Sequence, residues 1–186
     1  MDYQKINSET ISRWCREGWE WGQPITHEAY INATKGQWGV YLTPTKFVPH
    51  SWFGDLTGKK VLGLASGGGQ QMPVFAALGA QCTVLDYSQE QCNSEKMVAA
   101  REGYAIEILQ ADMTKPLPFN PLKDPALYAA SMENDWGIQF SHTLQEQIGG
   151  QLKAGFTLTD LYEDTNGSGR LHQMNVPSFV ATRCIK

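Results

Sequence analysis

The turn from Ser66 to Gly69, one serine followed by three glycines, has the clearest capacity for chemistry in this sequence. It follows the apolar run 60–65, and an acid, Asp86, ends the next apolar run. Glycines at such a turn let a ligand approach the backbone, and the next helix offers N–H groups to an anionic group such as a carboxylate. Because Asp86 can accept hydrogen bonds from both hydroxyls of a ribose, the pattern predicts an adenosine-shaped site at the carboxyl edge of a sheet.

Two common nucleotide-binding motifs do not fit this turn. A P-loop requires Gly-Lys-Ser/Thr where the chain has Gly69-Gln70-Gln71, so the groups that hold Mg²⁺ and the outer phosphates are missing. The dinucleotide pattern G-x-G-x-x-G, started at Gly67, places Met72 at the third glycine, where a side chain crowds the helix against the strand. Nucleoside triphosphates are therefore disfavoured. Nicotinamide cofactors fit poorly, and a nicotinamide-dependent oxidoreductase stays open as a third alternative.

The turn and Asp86 belong to an alternation of apolar strands and helices, which is typical of a parallel sheet covered by helices. The predicted elements are strands over 60–65, 82–86 and 106–112, a buried helix over 70–78, and a helix from the capping box Ser88-Gln89-Glu90-Gln91 to Gly103. Dense prolines after residue 113 end this alternation. The later elements are a short helix over 124–132, a helix from the capping box at Thr143 to about Ala154, and strands over 156–163 and 179–185.

Residues 1–57 contain five of the six tryptophans. A helix is expected from near Ser8, and a second helix is expected after Pro24. The tryptophans either pack in a core or form an aromatic lid over a ligand cleft. We therefore divide the chain into an N-terminal helical and aromatic cap over 1–57 and a second part over 58–186, within one compact unit.

Composition limits the classes of partner. The 186 residues carry a formal net charge of −4 without a cluster of lysine or arginine, so nucleic-acid binding is not expected. No stretch approaches the ~18 apolar residues of a membrane helix, and the first residues lack the pattern of a signal peptide. We expect a cytoplasmic protein that acts on a small molecule, without a membrane partner.

Other reactive residue types show no motif. The four cysteines contain no C-x-x-C pair and the four histidines share no metal-ligand spacing, so a metal site is not expected. Any histidine can serve as a base, but the sequence nominates no catalytic residue. Asp160, Glu163 and Asp164 cluster near the end of a late strand, which a solvated edge explains equally well.

Three segments resemble the cofactor half of class I S-adenosylmethionine-dependent methyltransferases. They are Val61-Leu62-Gly63-Leu64-Ala65-Ser66-Gly67-Gly68-Gly69-Gln70-Gln71, then Gly79 to Ser88 around Val84-Leu85-Asp86-Tyr87, then Gln110-Ala111-Asp112-Met113. The resemblance is closest to a bacterial branch whose glycine motif reads LASGGGQQ. Gly63 stands where many members have an acid, and Ala65 replaces the usual first glycine; both departures occur in that branch.

The resemblance implies S-adenosylmethionine as cofactor and assigns site residues by position. Ala65, Ser66, Gly67, Gly68 and Gly69 would line the methionine part of the cofactor. Asp86 would bind the ribose hydroxyls, with Tyr87 beside the adenine, and Asp112 and Met113 would contact the edge and face of the adenine.

The resemblance also indicates an internal deletion after the third strand. A complete class I enzyme continues with a fourth and a fifth strand, each with a helix, which occupy on the order of 60 residues. Here the stretch after Asp112 leads directly into Asn120-Pro121-Leu122. We place the deletion near Phe119. The late strands can then join the sheet beside its first strand, or two chains can associate or exchange elements across the gap.

The expected fold is therefore α/β, a Rossmann-like methyltransferase sheet with helices on both faces, shortened by about two strand–helix units, plus the N-terminal cap. The expected function is transfer of a methyl group from S-adenosylmethionine to a small molecule in a cleft roofed by the aromatic segment. The alternative is an inactive shortened homologue that keeps the fold and acts through self-association.

Overall fold

A computed structural model describes residues 3–111, 124–138 and 143–186 of the chain. The chain divides into two compact units, the first formed by Met1–Trp38 and Asp55–Phe140, the second by Gly39–Gly54 and Ser141–Lys186. The sequence-based boundary at residue 57 does not coincide with this division, because residues 39–54 group with the C-terminal elements.

The helices and strands alternate along most of the chain. In chain order they are α1 (Tyr3–Arg16), α2 (His27–Thr34), β1 (Tyr41–Thr43), β2 (Lys46–Phe47), β3 (Lys60–Leu64), α3 (Gln71–Ala77), β4 (Gln81–Asp86), α4 (Gln89–Glu102), β5 (Ile106–Gln110), α5 (Pro125–Glu133), α6 (Leu144–Lys153), β6 (Thr157–Asp164), α7 (Gly169–Gln173) and β7 (Phe179–Ile185). Short 3-10 helices lie at Glu20–Gly22 and His50–Trp52. None of the described helices combines the length and the apolar character that crossing a bilayer requires.

The first unit is built on a parallel sheet in the order β3-β4-β5. Lys60 lies opposite Gln81 at the start of the first pair, and Cys82 lies opposite Ile106 at the start of the second. Because the strands run in parallel, their carboxyl ends meet at one edge of the sheet. The predicted α/β class with a parallel sheet and alternating helices is thus confirmed.

Helices α3 and α4 pack on one face of this sheet. The Cys82 thiol lies 3.6 Å from the carbonyl oxygen of Met72 in α3, and the Cys92 thiol of α4 lies 3.8 Å from the carbonyl oxygen of Asp86. Buried apolar side chains fill the space between these layers, among them Val74, Phe75, Val84 and Val98. This packing makes the core of the first unit and fixes the position of the strand ends.

The other face of the sheet is more open in the described residues. Leu62 is 57% exposed and Leu64 is 54% exposed, and both point away from the face that α3 and α4 cover. Of the described strands, β3 pairs with β4 alone. The expectation that the late strands extend this sheet beside β3 is wrong, because β6 and β7 pair with each other in a separate sheet.

The helix ends follow local sequence signals. The Ser88 hydroxyl accepts a hydrogen bond from the Gln91 backbone N–H at the start of α4, and Gly103, with φ +76°, ends that helix. The second half of the predicted capping box is absent, since Gln91 Oε1 has no hydrogen-bond partner in the described residues. At Thr143 both halves of the predicted capping box form, with Glu146 as the partner.

The second unit combines a short β1–β2 ladder with the antiparallel pair β6–β7. Asp164, at the end of β6, accepts hydrogen bonds from the hydroxyls of Thr43 (2.6 Å) and Thr45 (2.9 Å). Gln151 of α6 exchanges hydrogen bonds with the Thr182 hydroxyl on β7. Polar contacts therefore join the elements of this unit.

Candidate functional site

A cavity of about 400 Å³ opens in the first unit where β3 and β4 end. Its volume lies within the range of small-molecule and cofactor sites. The glycine turn, the end of β4 and the start of α4 form one part of the wall. Helix α1, together with Trp19 and Trp21, forms another part. The cavity thus lies at the sheet edge that the sequence predicts.

The turn after β3 has a backbone conformation that favours glycine. φ is +79° at Gly67 and +77° at Gly69, in the left-handed region that other residues rarely adopt. Ala65, in the wall of the cavity, has φ +46°, a conformation in which a Cβ costs about 1 kcal/mol. Glycine, which has no Cβ, would adopt this conformation without strain.

Gly68 and Gly69 are buried between the turn and α4, outside the lining of the cavity. A Cβ at Gly68 would lie 2.4 Å from Gln91 Oε1, and a Cβ at Gly69 would lie 2.6 Å from Val98 Cγ2. These two glycines therefore let the turn pack directly on α4.

A fully buried acid, Glu95, lies on the α4 side of the turn. The Gly69 backbone N–H donates to Glu95 Oε2 (2.5 Å), and the Tyr104 hydroxyl donates to Glu95 Oε1 (3.3 Å). Burial raises the pKa of Glu95 to about 7, against the opposing effect of these two hydrogen bonds. Glu95 is not among the predicted site residues, although its spacing from Cys92 and Val98 places it on the buried face of α4.

Asp86 lies in the cavity wall at the end of β4 and is 7% exposed. Its Oδ1 accepts a hydrogen bond from the Ser88 backbone N–H (2.8 Å). Burial raises the pKa of the Asp86 carboxyl, while hydrogen bonds from the backbone of Ser88 and Tyr87 oppose this effect. A carboxyl held in this way, in the wall that also contains the glycine turn, can accept hydrogen bonds from a ligand.

Two polar side-chain atoms of lining residues are buried without a hydrogen-bond partner in the described part of the chain, Ser66 Oγ and Gln91 Oε1. The Gln91 residue is 6% exposed. A buried polar atom without a partner costs about 1–3 kcal/mol, so a ligand that donates a hydrogen bond here would gain affinity. The cavity therefore has room for a ligand and, in its lining residues, polar atoms that a ligand could bind by hydrogen bonds.

Helix α1 is tied to the start of α4 by polar contacts. The hydroxyls of Ser12 and Ser88 lie 2.9 Å apart, and the Ser8 hydroxyl donates to the Tyr87 carbonyl oxygen (3.1 Å). Gln4, Ser8 and Ser12 are spaced at intervals of one helical turn, a polar pattern that identifies the face of α1 directed at the site. The predicted helix near Ser8 came without an assignment of this polar face to the site.

The segment that contains Trp19 and Trp21, called the tryptophan segment below, is joined to the glycine turn through Gln70. The Gln70 Nε2 group donates to the carbonyl oxygens of Trp21 (2.5 Å) and Gln23 (2.9 Å). Trp19 and Trp21 line the cavity, as the aromatic-lid interpretation predicts, whereas Trp38 packs edge-on against Phe75 with 6.5 Å between the ring centroids. Trp38 therefore has a packing role, and the role of Trp19 and Trp21 as a lid over a ligand stays a prediction.

The structure brings most of the predicted site residues together. Ala65, Ser66, Gly67, Asp86 and Tyr87 all line the cavity. Gly68 and Gly69 do not line the cavity; they pack against α4 on the other side of the turn. Asp112 and Met113, and the deletion point near Phe119, lie outside the described residues; Ala111, which precedes them, lines the cavity.

Three of the other candidate residues, Asp160, Asp164 and His172, have structural partners in the second unit. In the second unit, Asp160 accepts a hydrogen bond from Trp52 Nε1 (2.8 Å), and hydrogen bonds from Thr43 and Thr45 lower the pKa of Asp164 to about 2. His172 Nδ1 lies 2.7 Å from the Thr165 hydroxyl. Within the described ranges, no group of three or more metal-ligating side chains comes together.

The chain is similar in sequence to known methyltransferases. Residues 62–124 match the family model of a methyltransferase domain, a segment that contains the glycine turn, Asp86 and Glu95. The chain is 29% identical to the uncharacterized methyltransferase YbaJ of Bacillus subtilis strain 168, over 249 aligned positions that cover 97% of each protein. Because the alignment is longer than the 186 residues of the chain, part of the relative lies opposite gaps.

Two solved structures match this chain with low identity and low TM-scores. One is the C-terminal domain of precorrin-6Y C5,15-methyltransferase from Rhodobacter capsulatus, with 15% identity, a TM-score of 0.35, and coverage of 72% of this chain and 80% of that chain. The other is the branched-chain polyamine synthase from Thermus thermophilus, with 19% identity, a TM-score of 0.39, and coverage of 84% and 52%. The family match and the sequence relative both indicate similarity to methyltransferases.

Proposed function

We propose that this chain binds S-adenosylmethionine in the cavity of the first unit and transfers its methyl group to a small-molecule acceptor. The observation that carries the proposal is the position of Asp86 in the same wall as the turn 65–67, at the ends of adjacent parallel strands. An acid on one strand and a glycine turn on its neighbour are the two parts that an adenosyl ligand requires of such a sheet edge.

The residues present fit this cofactor. The cavity has a suitable volume, and Gln91 Oε1 is a buried acceptor without a partner in the described residues. Asp86 would accept hydrogen bonds from the ribose hydroxyls, and the turn 65–67 would bind the methionine part. Tyr87 would lie beside the adenine, and Asp112 and Met113 would contact the edge and the face of the adenine.

The cofactor supplies a methyl group that is activated on a sulfonium sulfur. The chain contributes by holding the acceptor in line with that group, since positioning supplies much of the rate of such a displacement. Trp19 and Trp21 give the cavity an apolar wall that favours a small organic acceptor and excludes water. The identity of a general base is not assigned, and a cytoplasmic location stays a prediction.

The first experiment is calorimetric titration of the purified protein with S-adenosylmethionine and S-adenosylhomocysteine. We expect binding in the micromolar range. The Asp86→Ala variant should bind about 100-fold more weakly, because hydrogen bonds to a charged group contribute about 1.5–3 kcal/mol each. Asp160→Ala, which removes an acid of the second unit, is the matched control and should bind as the wild type does. Wild-type protein that binds neither ligand would exclude the proposed function.

We also propose that the chain has lost an internal segment near Phe119 relative to longer members of the LASGGGQQ branch. The gaps in the alignment with the Bacillus relative support a shortened chain. The inactive alternative draws no support from the comparisons. Wild-type protein that binds the cofactor but methylates none of a broad acceptor panel would favour it.

The edge strand β3 leads us to propose that two copies associate. An edge strand with exposed leucines such as Leu62 and Leu64 is a template for pairing with another strand, and a second copy presents the same edge. Light scattering after size exclusion should give a dimer for the wild type and a monomer for Leu62→Lys. A wild-type monomer at every concentration tested would exclude this association.

A further inference from the structure

Glu95 is buried without an ionic partner among the described residues. The residue is 0% exposed, and its two oxygens accept hydrogen bonds from the Gly69 N–H and the Tyr104 hydroxyl. A buried acid of this kind is costly unless its hydrogen bonds are well made. Its presence here, where an apolar residue would fill the same face of α4 more favourably, points to a task at the glycine turn.

Gly69 is held on both sides of its backbone. Its N–H binds Glu95 on α4, and its carbonyl oxygen accepts the N–H of Ile25 (2.8 Å), which follows the tryptophan segment. The Ile25 carbonyl oxygen in turn accepts a hydrogen bond from Arg101 Nη2 on α4 (2.7 Å). Glu95, Gly69, Ile25 and Arg101 therefore form a continuous chain of contacts that joins α4, the turn and the N-terminal segment.

We propose that Glu95 is a positioning residue that fixes the glycine turn through the Gly69 N–H and thereby sets the affinity of the cavity for its cofactor. The inference rests on the proposed function. Its physical basis is that a charge-assisted hydrogen bond is stronger and shorter than a neutral one. The ionised carboxylate holds Gly69 firmly, and the adjoining residues 65–67 keep the conformation that lines the cavity.

The same contact makes the turn sensitive to protonation. Burial raises the pKa of Glu95 to about 7, so the carboxyl loses its charge slightly below neutral pH. The titratable groups that face it are Cys82 on β4, Cys92 on α4, Tyr104 and, stacked on Tyr104, Tyr30 of α2. Their pKa values are all raised from ordinary values already above neutrality, so between pH 6 and 8 the charge in this cluster changes at Glu95.

The test compares the wild type with Glu95→Gln, which keeps an acceptor oxygen and removes the charge. Titration with S-adenosylhomocysteine at pH 8 should show about fivefold weaker binding for the variant. Wild-type affinity should fall about fivefold from pH 8 to pH 6, whereas the affinity of the variant should change less than twofold. Any change in the protonation of Asp86 would affect both proteins alike, so the difference between the two profiles isolates Glu95.

Tyr104→Phe is the matched control, because it removes the other hydrogen bond of Glu95 and leaves the Gly69 contact in place. It should bind within twofold of the wild type and retain the pH dependence. Equal affinities and equal pH profiles for the wild type and Glu95→Gln would overturn the inference while the proposed function stands.

A second measurement does not require the cofactor. Amide hydrogen exchange in the ligand-free protein should be about tenfold faster in Glu95→Gln than in the wild type across residues 65–70, with the strand β4 unchanged. Unchanged exchange in the turn would overturn the positioning role. Wild-type protein that fails to bind the ligand would instead exclude the proposed function, and the exchange experiment would still decide whether Glu95 fixes the turn.

Discussion

In the first unit, Val84 and Val98 are enclosed between a parallel sheet and two helices, whereas strands β6 and β7 of the second unit carry no buried apolar side chain. Leu161 and Phe179 on those strands are substantially exposed. Polar contacts join β6 to its neighbours in this unit, such as those of Asp164 with two threonine hydroxyls. In a strand–helix–strand unit, the helix that connects two parallel strands also packs on them and buries their apolar side chains. An antiparallel pair has no such helix, so its apolar side chains are buried only where another element packs on it.

The largest effect is expected from a glycine of the first unit. Gly69→Ala would place a Cβ 2.6 Å from Val98 Cγ2 at a residue with φ +77°. Backbone strain and overpacking together should lower the free energy of unfolding by about 4 kcal/mol. Urea denaturation monitored by tryptophan fluorescence measures this change. An unchanged midpoint would show that the turn does not pack on α4 as described.

The two units should also respond to pH in opposite directions. The pKa of Glu95 is raised from 4.5 to about 7 in the folded chain, so its contribution to stability is present below pH 4.5 and is lost as pH rises through 7. The pKa of Asp164 is lowered from 3.8 to about 2, so its contribution is present above pH 3.8 and is lost as pH falls through 2.

Glu95→Gln tests this contrast. The variant should gain on the order of 3 kcal/mol over the wild type between pH 4.5 and pH 8, since one unit of pKa corresponds to about 1.4 kcal/mol. Asp164→Asn should lower stability at neutral pH and leave this difference unaffected. Denaturant unfolding over pH 4–8 provides the measurement, and parallel profiles for wild type and Glu95→Gln would contradict the raised pKa.

Replacing a glycine of the second unit by alanine should change the free energy of unfolding in the direction opposite to Gly69→Ala. Gly150 lies inside α6, and a Cβ there would meet no atom within 4 Å. Gly150→Ala should therefore raise the free energy of unfolding by about 1 kcal/mol, the difference in helix propensity between the two residues. Thermal unfolding monitored by circular dichroism measures it. A destabilised variant would indicate a neighbour on this face of α6.

The strand–helix alternation around the site was predictable because each element has a strong local signal. The apolar runs of β3 and β4, Ser88 at the start of α4 and Gly103 at its end all act within a few residues. The turn and Asp86 were predictable for the same reason, since their role depends on where the strands end. The part of the cavity wall formed by the glycine turn and the end of β4 could therefore be predicted from the sequence.

Two features depended on contacts that the linear sequence does not display. Glu95 was missed because a charged residue in a helix is usually a solvated one, and its two partners, the Gly69 N–H and the Tyr104 hydroxyl, come from other parts of the chain. The pairing of β6 with β7 apart from β3 could not be read from their apolar patterns. Strand composition specifies that a strand forms, and tertiary packing decides which edge it joins.

The positive φ of Ala65 constrains which sequences are available to relatives of this chain. Glycine would remove the strain, and asparagine or aspartate would tolerate it, whereas valine, isoleucine and threonine would raise it through their branched Cβ. In a library randomised at this codon and selected for folded protein, the first three residues should be enriched and the last three depleted. Position 65 would then vary among small and polar residues while the cavity keeps its shape.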